Sequence, residues 1–231
     1  MKRILLKLSG EALAGEKGTG FNESVCFEVA AQVKKVIDAG TQTAIVIGGG
    51  NFWRGRSSQD MDRSSADSIG MLATVMNAIY VSDVFRRAGM KTSVMTPFAC
   101  GSFTELYDKD AAVYALDEGK VVFFAGGTGH PYFSTDTGAV LRALEIGADA
   151  MLLAKNIDGV YDADPEKDQD AKKYDSVTID EVIDKNLQVI DMTASIMCRD
   201  NGLPMKIFAL REEDSILRTV QGENTGTTVT V

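Results

Sequence analysis

The sequence predicts an α/β fold built on a parallel β-sheet. Residues 3–8 form a short apolar run typical of a buried strand, and residues 24–39 carry apolar side chains at helical spacing. A second, β-branched run follows at residues 43–47. A strand–helix–strand unit joins parallel strands by a right-handed crossover, and ligands bind at the carboxyl ends of such strands. We therefore expect the functional residues in the turns that follow the strands.

Length, composition and charge limit the possible functions. The 231 residues suffice for one α/β domain, so we expect a single domain over residues 1–231. The formal net charge of −9 disfavours a polynucleotide partner, because neutralising backbone phosphates needs a basic face. A free nucleotide remains compatible with an acidic chain, since a few local cations and N–H groups can hold it.

Cysteine usage and the length of the apolar runs indicate the cytoplasm. Cys26, Cys100 and Cys198 are odd in number, widely spaced and without metal-ligand spacing, so we expect reduced, buried thiols. No apolar run approaches the roughly 18 residues needed to span a bilayer, and residues 1–3 lead directly into the first strand. We expect no membrane association and a cytoplasmic location.

Residues 43–55 contain the strongest signal of a binding site. The apolar run ends in Gly48, Gly49 and Gly50, where backbone N–H groups can converge on an anion such as phosphate. Arg54 follows and can offer a charged fork to the same ligand. A tight structural turn would contain the same glycines. Binding is favoured by repetition, since three further apolar runs end in similar residues: Ser9-Gly10 after residues 4–8, residues 125–129 after residues 121–124, and Lys155-Asn156 after residues 151–153.

Lys7 interrupts the first apolar run where the strand reaches the carboxyl edge of the sheet. It is either an edge residue reaching water or a ligand contact. Because Ser9 and Gly10 follow at once and supply further donors, we favour the ligand contact.

Two loops and two helices are predicted between the first and the third strand. Residues 11–22 are rich in glycine and residues 56–65 are polar and charged, so both predict loops. Asn22 or Ser24 can cap the first helix. A long second helix is predicted over residues 66–88.

Asp67 lies near the start of this second helix and has two interpretations. It is either a plain N-terminal cap or a carboxylate presented to a pair of sugar hydroxyls. Apolar residues at helical spacing indicate core or subunit-interface positions: Met71, Leu72, Val75, Met76, Ile79 and Val84.

Residues 126–136 form the second site signal. They combine glycines for close backbone approach, hydroxyl donors, one acid and the aromatic residues Tyr132 and Phe133, which can cover a base. His130 is the only histidine of the chain, and we expect a polar contact rather than acid–base catalysis from it. Within residues 156–165, Tyr161 and Asp164 are either turn formers or contacts to a purine nucleotide.

The remaining elements alternate between helices and strands. Strands are predicted at residues 91–96, 120–124, 150–153, 205–209 and 227–231. Helices are predicted at residues 107–117, 137–146, 177–185 and 191–200.

Five groups of residues together resemble the bacterial uridylate (UMP) kinases of the amino-acid kinase superfamily. The resemblance covers essentially the whole chain in order. The runs at residues 70–77 and 158–161 point to the UMP-specific branch rather than to the superfamily alone. The groups are residues 7–12, residues 48–51 with 53–55, Asp67 with residues 70–77, residues 127–129 with 133–136, and residues 158–161 with 163–165.

The resemblance implies a three-layer αβα sandwich around a mostly parallel sheet, the amino-acid kinase fold. It also implies a homohexamer that transfers the γ-phosphoryl group of ATP, with Mg²⁺, to UMP. The product UDP would serve pyrimidine nucleotide (CTP) biosynthesis. Activation by GTP and inhibition by UTP belong to the same set of expectations.

The resemblance assigns roles to individual residues. Lys7 would be catalytic, and Asp136 would organise it. ATP would be held by Lys7, Leu8, Ser9, Gly10, Gly50, Arg54, Lys155, Tyr161 and Asp164. UMP would be held by Gly49, Asp67, Thr128, Gly129, His130, Pro131, Tyr132, Phe133, Ser134 and Thr135, with Asp67 on the ribose. The GTP response would involve Gly15, Glu16, Lys17, Gly18, Thr19 and Gly20.

The sequence departs from the family pattern at two positions. His130 stands where asparagine is usual, and Lys155 stands at or beside a position that is usually threonine or asparagine, so Asn156 is the alternative ATP contact. No metal site of the protein's own is expected, since Mg²⁺ commonly stays on phosphates and waters.

The sequence also bears on the type of kinase and on rival functions. The chain has no Gly-x-x-x-x-Gly-Lys-Ser/Thr loop, which argues against a P-loop kinase. Other acceptors within the superfamily, namely a carboxylate, a carbamate or isopentenyl phosphate, are disfavoured by Asp67 and the aromatic residues. A non-catalytic nucleotide- or oxyanion-binding protein on the same fold is the alternative from another functional class, and Lys7 and Asp136 argue against it.

Overall fold

The computed structural model describes residues 1–53, 61–165, 167–187 and 189–231, and its centre is a nine-stranded sheet. The strand order is β4-β3-β5-β2-β1-β6-β10-β11-β9. Within this sheet β10 and β11 pair antiparallel and all other neighbours pair parallel. The predicted mostly parallel sheet is therefore confirmed. The strands are β1 Arg3–Leu8, β2 Gln42–Ile47, β3 Thr92–Thr96, β4 Glu105–Leu106, β5 Val121–Phe124, β6 Ala150–Lys155, β9 Ser176–Thr178, β10 Met205–Ala209 and β11 Gly226–Thr230, with a separate hairpin of β7 Val160–Tyr161 and β8 Lys173–Tyr174.

Helices cover both faces of the sheet. Alternate residues of β1 point to opposite sides, so Ile4 and Leu6 pack in one core and Leu5 packs in the other. The first core takes α1 Gly10–Ala14, α2 Glu23–Asp38, α3 Arg63–Arg87 and α8 Ser215–Gln221. The second core takes α4 Lys109–Asp117, α5 Thr135–Glu145, α6 Ile179–Asp184 and α7 Met192–Asn201. This arrangement is the expected αβα sandwich.

The predicted strand–helix–strand unit consists of β1, α2 and β2. The side chain of Asn22 accepts hydrogen bonds from the N–H groups of Ser24 and Val25, which caps α2. β1 and β2 then run parallel as direct neighbours, from Arg3 opposite Gln42 to Leu8 opposite Ile47. Both strands consequently end at the same edge of the sheet.

The long helix α3 begins earlier than predicted. Asp62 caps it by accepting a hydrogen bond from the N–H of Ser65, so Asp67 lies inside the helix and the interpretation of Asp67 as its cap is wrong. By length and composition α3 could cross a membrane, but 50% of its apolar stretch is buried inside the fold, as in a core helix.

Residues 11–22 do not form the simple loop that their glycines predict. Residues 10–14 form α1 and Gly15–Lys17 forms a 3-10 helix, so the prediction is wrong for this half of the stretch. The reason is burial, because Ala12, Leu13 and Ala14 pack into the first core. Three small or aliphatic residues in a row give too short a pattern to reveal a helical period.

Several other boundaries differ from the prediction. Residues 176–178 form β9 rather than the start of a helix, because they pair with β11, and Thr178 then caps α6. Helix α5 begins at Thr135, two residues early, since Ser134 caps it. Of the predicted loop 56–65, residues 56–60 lie outside the described part of the chain, and residues 63–65 belong to α3.

The cysteines follow the prediction in two of three cases. All three are free thiols, and Cys26 and Cys198 are buried, whereas Cys100 is only half-buried and corrects the expectation. Burial raises the pKa of Cys26 to about 11 and that of Cys198 to about 12. Neither buried thiol therefore carries the thiolate that reactivity requires at neutral pH.

Candidate active site

The turns singled out in the sequence meet at one edge of the sheet. They follow β5, β2, β1 and β6, and these four strands are consecutive neighbours in the sheet. Because all four run parallel, their carboxyl ends lie side by side. The candidate site is built along this edge, as expected from the repetition of strand-plus-glycine signals.

A first cavity of about 490 Å³ opens between the glycine turn after β2, helix α3 and the turn before α5. It brings together residues that are far apart in the sequence, and it includes most of the expected UMP contacts. The expected site residues that line it are Lys7, Ser9, Gly10, Gly49, Gly50, Asp67, Thr128, His130, Phe133, Ser134, Thr135 and Asp136.

A second cavity, of about 650 Å³, shares Lys7 and Ser9 with the first cavity. It extends towards Lys155 and Asn156 after β6. Both alternatives for the ATP contact thus line it. A third cavity of about 410 Å³ continues from Lys155 and contains Tyr161 and Asp164. The second cavity therefore adjoins the first at Lys7 and Ser9 and the third at Lys155.

Lys7 and Asp136 form an ion pair between the first and second cavities. Lys7 Nζ lies 2.6 Å from Asp136 Oδ1, and the two side chains are 17% and 21% exposed. Asp136 stands in the first turn of α5, where the helix dipole favours a carboxylate. Lys7 lines both cavities, and its role as a ligand contact stays a prediction.

Asp191 holds the start of α5 in place, and sequence reasoning missed it. Ser134 and Thr137 donate hydrogen bonds from their hydroxyls to the carboxylate of Asp191, while Ser134 also caps α5. Asp191 itself caps α7 through the N–H of Ala194, at 3.0 Å. In the sequence Asp191 shows only the ordinary signal of a helix cap, because its contact to Ser134 is long-range.

Asp67 projects from α3 into the first cavity. Its Oδ2 accepts hydrogen bonds from Arg63 Nε at 2.8 Å and from the backbone N–H of Tyr132 at 2.7 Å. The guanidinium of Arg63 lies 5.4 Å from the centre of the Tyr132 ring. Arg63 lines the first cavity as well and was not among the predicted site residues.

The aromatic residues Tyr132 and Phe133 lie in different places relative to the first cavity, and His130 lines it with one of them. Phe133 and His130 line the first cavity, whereas Tyr132 is 67% exposed and lies outside the lining. The backbone N–H of His130 donates to the hydroxyl of Thr128 at 3.3 Å. Of the other residues expected to hold UMP, Gly129 and Pro131 are not part of the lining.

The glycines of the site serve close packing. None of Gly48, Gly49 and Gly50 adopts a positive φ. A Cβ on Gly49 would lie 3.0 Å from the Cβ of Ala73, and a Cβ on Gly10 would lie 2.4 Å from the carbonyl oxygen of Gly48. The turns after β1 and β2 therefore touch each other, which only residues without a side chain allow.

Lys155 approaches the site from β6. Its ammonium group donates a hydrogen bond to the backbone carbonyl of Val189. Burial lowers the pKa of Lys155; the nearby carboxylate of Asp136 opposes this change and the charge of Lys7 adds to it. The side-chain nitrogen of Lys155 thus lies close enough to the Lys7–Asp136 pair for both of their charges to act on it.

Three further predictions concern residues at the margin of the site. Leu8 is fully buried in the first core and lines none of the three cavities. Arg54 lies outside the described residues. In the expected GTP segment, residues 15–20, Gly20 is hydrogen-bonded to Asn51 of the glycine turn, while Gly15 and Glu16 line a separate cavity of about 330 Å³.

Comparison with known proteins adds the family. Residues 2–209 match the amino acid kinase family model. The UMP kinase of Bacillus anthracis is 37% identical with a TM-score of 0.95, over 99% of this chain and 96% of that one. The UMP kinase of Ureaplasma parvum is 31% identical with a TM-score of 0.94, over 100% and 99%. The uridylate kinase of Archaeoglobus fulgidus is 26% identical with a TM-score of 0.75, over 100% of both chains.

The parallel sheet places a lysine–aspartate pair beside two adjoining cavities, and the likeness to UMP kinases identifies the class of the protein as a phosphotransferase. The chain belongs to the amino acid kinase family. This membership confirms both the resemblance found in the sequence and the prediction of a kinase.

Proposed function

We propose that the chain is a UMP kinase that transfers the γ-phosphoryl group of ATP to UMP and releases UDP and ADP. The observation that carries the proposal is the position of Lys7 on the wall shared by the first and second cavities. Two nucleotides bound in these cavities would bring their phosphates together at one lysine. Similarity to proteins named UMP kinases supports the choice of acceptor.

The first cavity has the chemistry of a nucleoside monophosphate site. Asp67 and Phe133 both line this cavity, where the carboxylate would meet the ribose hydroxyls and the ring would pack against the pyrimidine. Backbone N–H groups at Gly49 and the hydroxyls of residues 128–135 would hold the phosphate and the base edge. The aromatic residue and Asp67 favour a nucleoside acceptor over a carboxylate or carbamate.

The second and third cavities would hold ATP. Ser9, on the wall shared with the first cavity, would contact its phosphates, and these would reach Gly10 and Gly50 at the adjoining edge of the first cavity. Arg54 would be a further cation, and Lys155 would approach the same phosphates from β6. Tyr161 and Asp164, which line the third cavity, would face the nucleoside.

Phosphoryl transfer requires mainly that the protein align the two reactants and supply positive charge. The negative charge of the transition state spreads over the equatorial oxygens of the transferred group. In the proposed mechanism Lys7 supplies that charge, and Asp136 holds Lys7 towards the moving group. The phosphate of UMP is ionised at neutral pH, so the nucleophile needs no general base.

The donor groups of the site suit a metal that arrives with the nucleotide. Among the described residues no three His, Cys, Asp or Glu side chains converge on a metal position. Mg²⁺ commonly keeps phosphate and water ligands, and when bound it neutralises phosphate charge. Asp136 and the glycine turns would then meet an ATP that carries its own Mg²⁺.

Assembly, regulation and location extend the proposal. Helix α3 exposes an apolar stripe of Ile69, Leu72, Met76 and Ile79, at spacings of three and four residues, and a second copy of the chain would cover it. We propose a homo-oligomer, and the resemblance makes it a hexamer. Activation by GTP through residues 15–20, inhibition by UTP, a cytoplasmic location and a role in pyrimidine nucleotide synthesis complete the proposal.

A coupled ADP-release assay tests the function. ATP and Mg²⁺ are supplied with UMP, CMP, dTMP, glutamate or carbamate in turn, with and without GTP. The proposal expects turnover with UMP well above that with every other acceptor, and a higher rate with GTP. If ATP binds but no acceptor supports ADP release, the chain is a non-catalytic nucleotide-binding protein and the proposal fails.

A further inference from the structure

Two buried asparagines lie directly beneath the turns of the site. Asn51 follows the three glycines after β2, and Asn77 lies in the middle of α3. Their exposed fractions are 1% and 0%. Buried amides are retained only when their polar atoms are satisfied, so their partners show what this pair holds.

The two amides bind each other in a reciprocal pair. Asn51 Nδ2 donates to Asn77 Oδ1 at 3.0 Å, and Asn77 Nδ2 donates to Asn51 Oδ1 at 2.8 Å. Each NH₂ group has one further N–H. That of Asn77 reaches the carbonyl of Gly48 at 2.7 Å, and that of Asn51 reaches the carbonyl of Gly20 at 2.8 Å.

The hydrogen bonds of the pair therefore link three segments: helix α3, the glycine turn and the segment ending at Gly20. A fourth contact is steric, because a Cβ on Gly10 would lie 2.3 Å from Asn51 Oδ1. The turn after β1 is thus packed against the same amide. The Asn51–Asn77 pair therefore contacts the backbone of both turns, the one after β1 and the one after β2. In the proposed reaction these two turns would surround the transferred phosphoryl group.

We infer that Asn51 and Asn77 are positioning residues for phosphoryl transfer, which hold the Gly48–Gly50 turn and the Gly10 turn in their reactive geometry. The inference rests on the proposed function. Neither side chain lines the first or second cavity, so both act through the backbone they hold. Small displacements of aligned groups cost rate far more than affinity, which predicts an effect mainly on kcat.

The variant Asn77→Asp tests the role of the donated hydrogen bond. The ionised carboxylate of this variant still accepts from Asn51 Nδ2 but can donate neither to the carbonyl of Gly48 nor to Asn51 Oδ1. The protonated acid has one O–H and can restore one of these two hydrogen bonds. We expect kcat to fall by roughly 10²-fold at pH 8, with KM for both nucleotides changed much less, as for misaligned reactive groups. We also expect part of the loss to be recovered as the pH falls towards about 5.5, where a buried carboxyl begins to take up a proton.

Thr219→Val serves as the matched control, because Thr219 is fully buried and its hydroxyl bonds to Ser215 and Thr225, away from the cavities. It should lower the melting temperature and leave kcat within about twofold, since Thr219 shares no hydrogen-bond partner with Asn51 or Asn77 and lines none of the three cavities. If Asn77→Asp behaves like this control, or if its kcat loss does not change with pH, the inference is wrong. Should Asn77→Asp not fold, Asn77→Ser replaces it, with lost kcat expected and unchanged kcat contradicting the inference.

Hydrogen exchange separates this inference from the kinase proposal, because it needs no turnover. In Asn77→Asp, peptides covering residues 15–22 and 48–53 should exchange faster than in the wild type, and those of Thr219→Val should not. An inactive wild-type protein would refute the proposed function alone. Unchanged exchange at both segments would refute the positioning role alone.

Discussion

Lys7 Nζ and Asp136 Oδ1 lie 2.6 Å apart, although the two residues belong to β1 and α5 and are separated by more than half of the chain. The pair is largely shielded, with side chains 17% and 21% exposed. It stands where the first and second cavities meet. A cation fixed by one carboxylate between two binding spaces suits the transfer of a negatively charged group between them.

Removing the lysine should slow transfer strongly and spare acceptor binding. In Lys7→Ala we expect kcat to fall by roughly 10²–10³-fold, the cost of losing one preorganised electrostatic contact to a transition state. The dissociation constant for UMP should change by less than about tenfold, or 1.4 kcal/mol. Stopped assays give kcat, and calorimetric titration gives the affinity for UMP.

Lys120→Ala is the matched control for this variant, since Lys120 is only half-buried, lines neither cavity and pairs only with the nearby Glu118 among the ion pairs of the described residues. It should keep full activity. A Lys7→Ala protein with near-normal kcat would show that Lys7 is not the transfer residue.

Asp67→Asn should weaken the recognition of ribose. The amide oxygen can still accept from Tyr132, so the fold around Asp67 should persist, but the charged acceptor for the sugar hydroxyls is lost. We expect KM for UMP to rise about tenfold and the preference for UMP over dUMP to shrink, because a site built to bind a hydroxyl discriminates through that contact. Kinetics with both nucleotides measures the ratio.

Asp83→Asn controls for the loss of a carboxylate on the same helix, since Asp83 is exposed and pairs with Arg86 and Arg87. It should change neither KM nor the ratio. An unaltered preference for UMP over dUMP in Asp67→Asn would remove Asp67 from the ribose.

The variant Lys155→Met should keep or raise the unfolding free energy at pH 7 while it weakens the binding of ATP. Burial lowers the pKa of Lys155 below its ordinary 10.5, so the folded protein binds fewer protons than the unfolded chain in the interval between the two values. The unfolding free energy of the wild type therefore gains a contribution from Lys155 as the pH rises through that interval, and the methionine variant lacks this gain. We expect the variant to be at least as stable at pH 7 and to lose its advantage at higher pH.

The same variant should bind ATP less tightly, with KM for ATP raised about tenfold, as expected for the loss of a charge-assisted contact. Urea unfolding at several pH values and steady-state kinetics provide the two readings. Lys34→Met, at an exposed pair with Asp38, is the control and should show neither effect. Normal KM for ATP in Lys155→Met would exclude Lys155 from the ATP site.

Thiol labelling should distinguish the three cysteines. Burial raises the pKa of Cys26 to about 11 and that of Cys198 to about 12, so both should resist a thiol reagent at pH 8 until the protein unfolds. Half-buried Cys100 should react first. Cys100→Ser should therefore eliminate the fast phase in native protein, and a remaining fast phase would contradict the burial of the other two thiols.

Local patterns in the sequence were sufficient for the main elements of the fold. Continuous apolar runs marked β1, β2, β5 and β6, and the glycines behind them marked the edge at which the cavities lie. Short elements were missed, because β4 and β8 have two residues each and no measurable period. Helix α8 was missed as well, since its seven residues cover only about two turns.

The candidate site was predictable only where a residue's chemistry is evident from its own neighbours. Lys7 interrupts an apolar strand and Asp67 precedes a distinctive run, so both stood out. The residues without a local signal have distant partners. Asp191 lies 57 positions from Ser134, Asn51 lies 26 positions from Asn77, and Arg63 meets the ring of Tyr132 only across the folded chain. Tertiary packing alone reveals such residues.

The most direct test of the account follows the phosphoryl group itself. ATP labelled in its γ-phosphoryl group is incubated with UMP, Mg²⁺ and the wild-type protein or Lys7→Ala, and the products are separated. The account predicts label in UDP, in amounts equal to the ADP formed, with the wild type and almost none with Lys7→Ala. Label in inorganic phosphate alone, or equal labelling of UDP by both proteins, would contradict it.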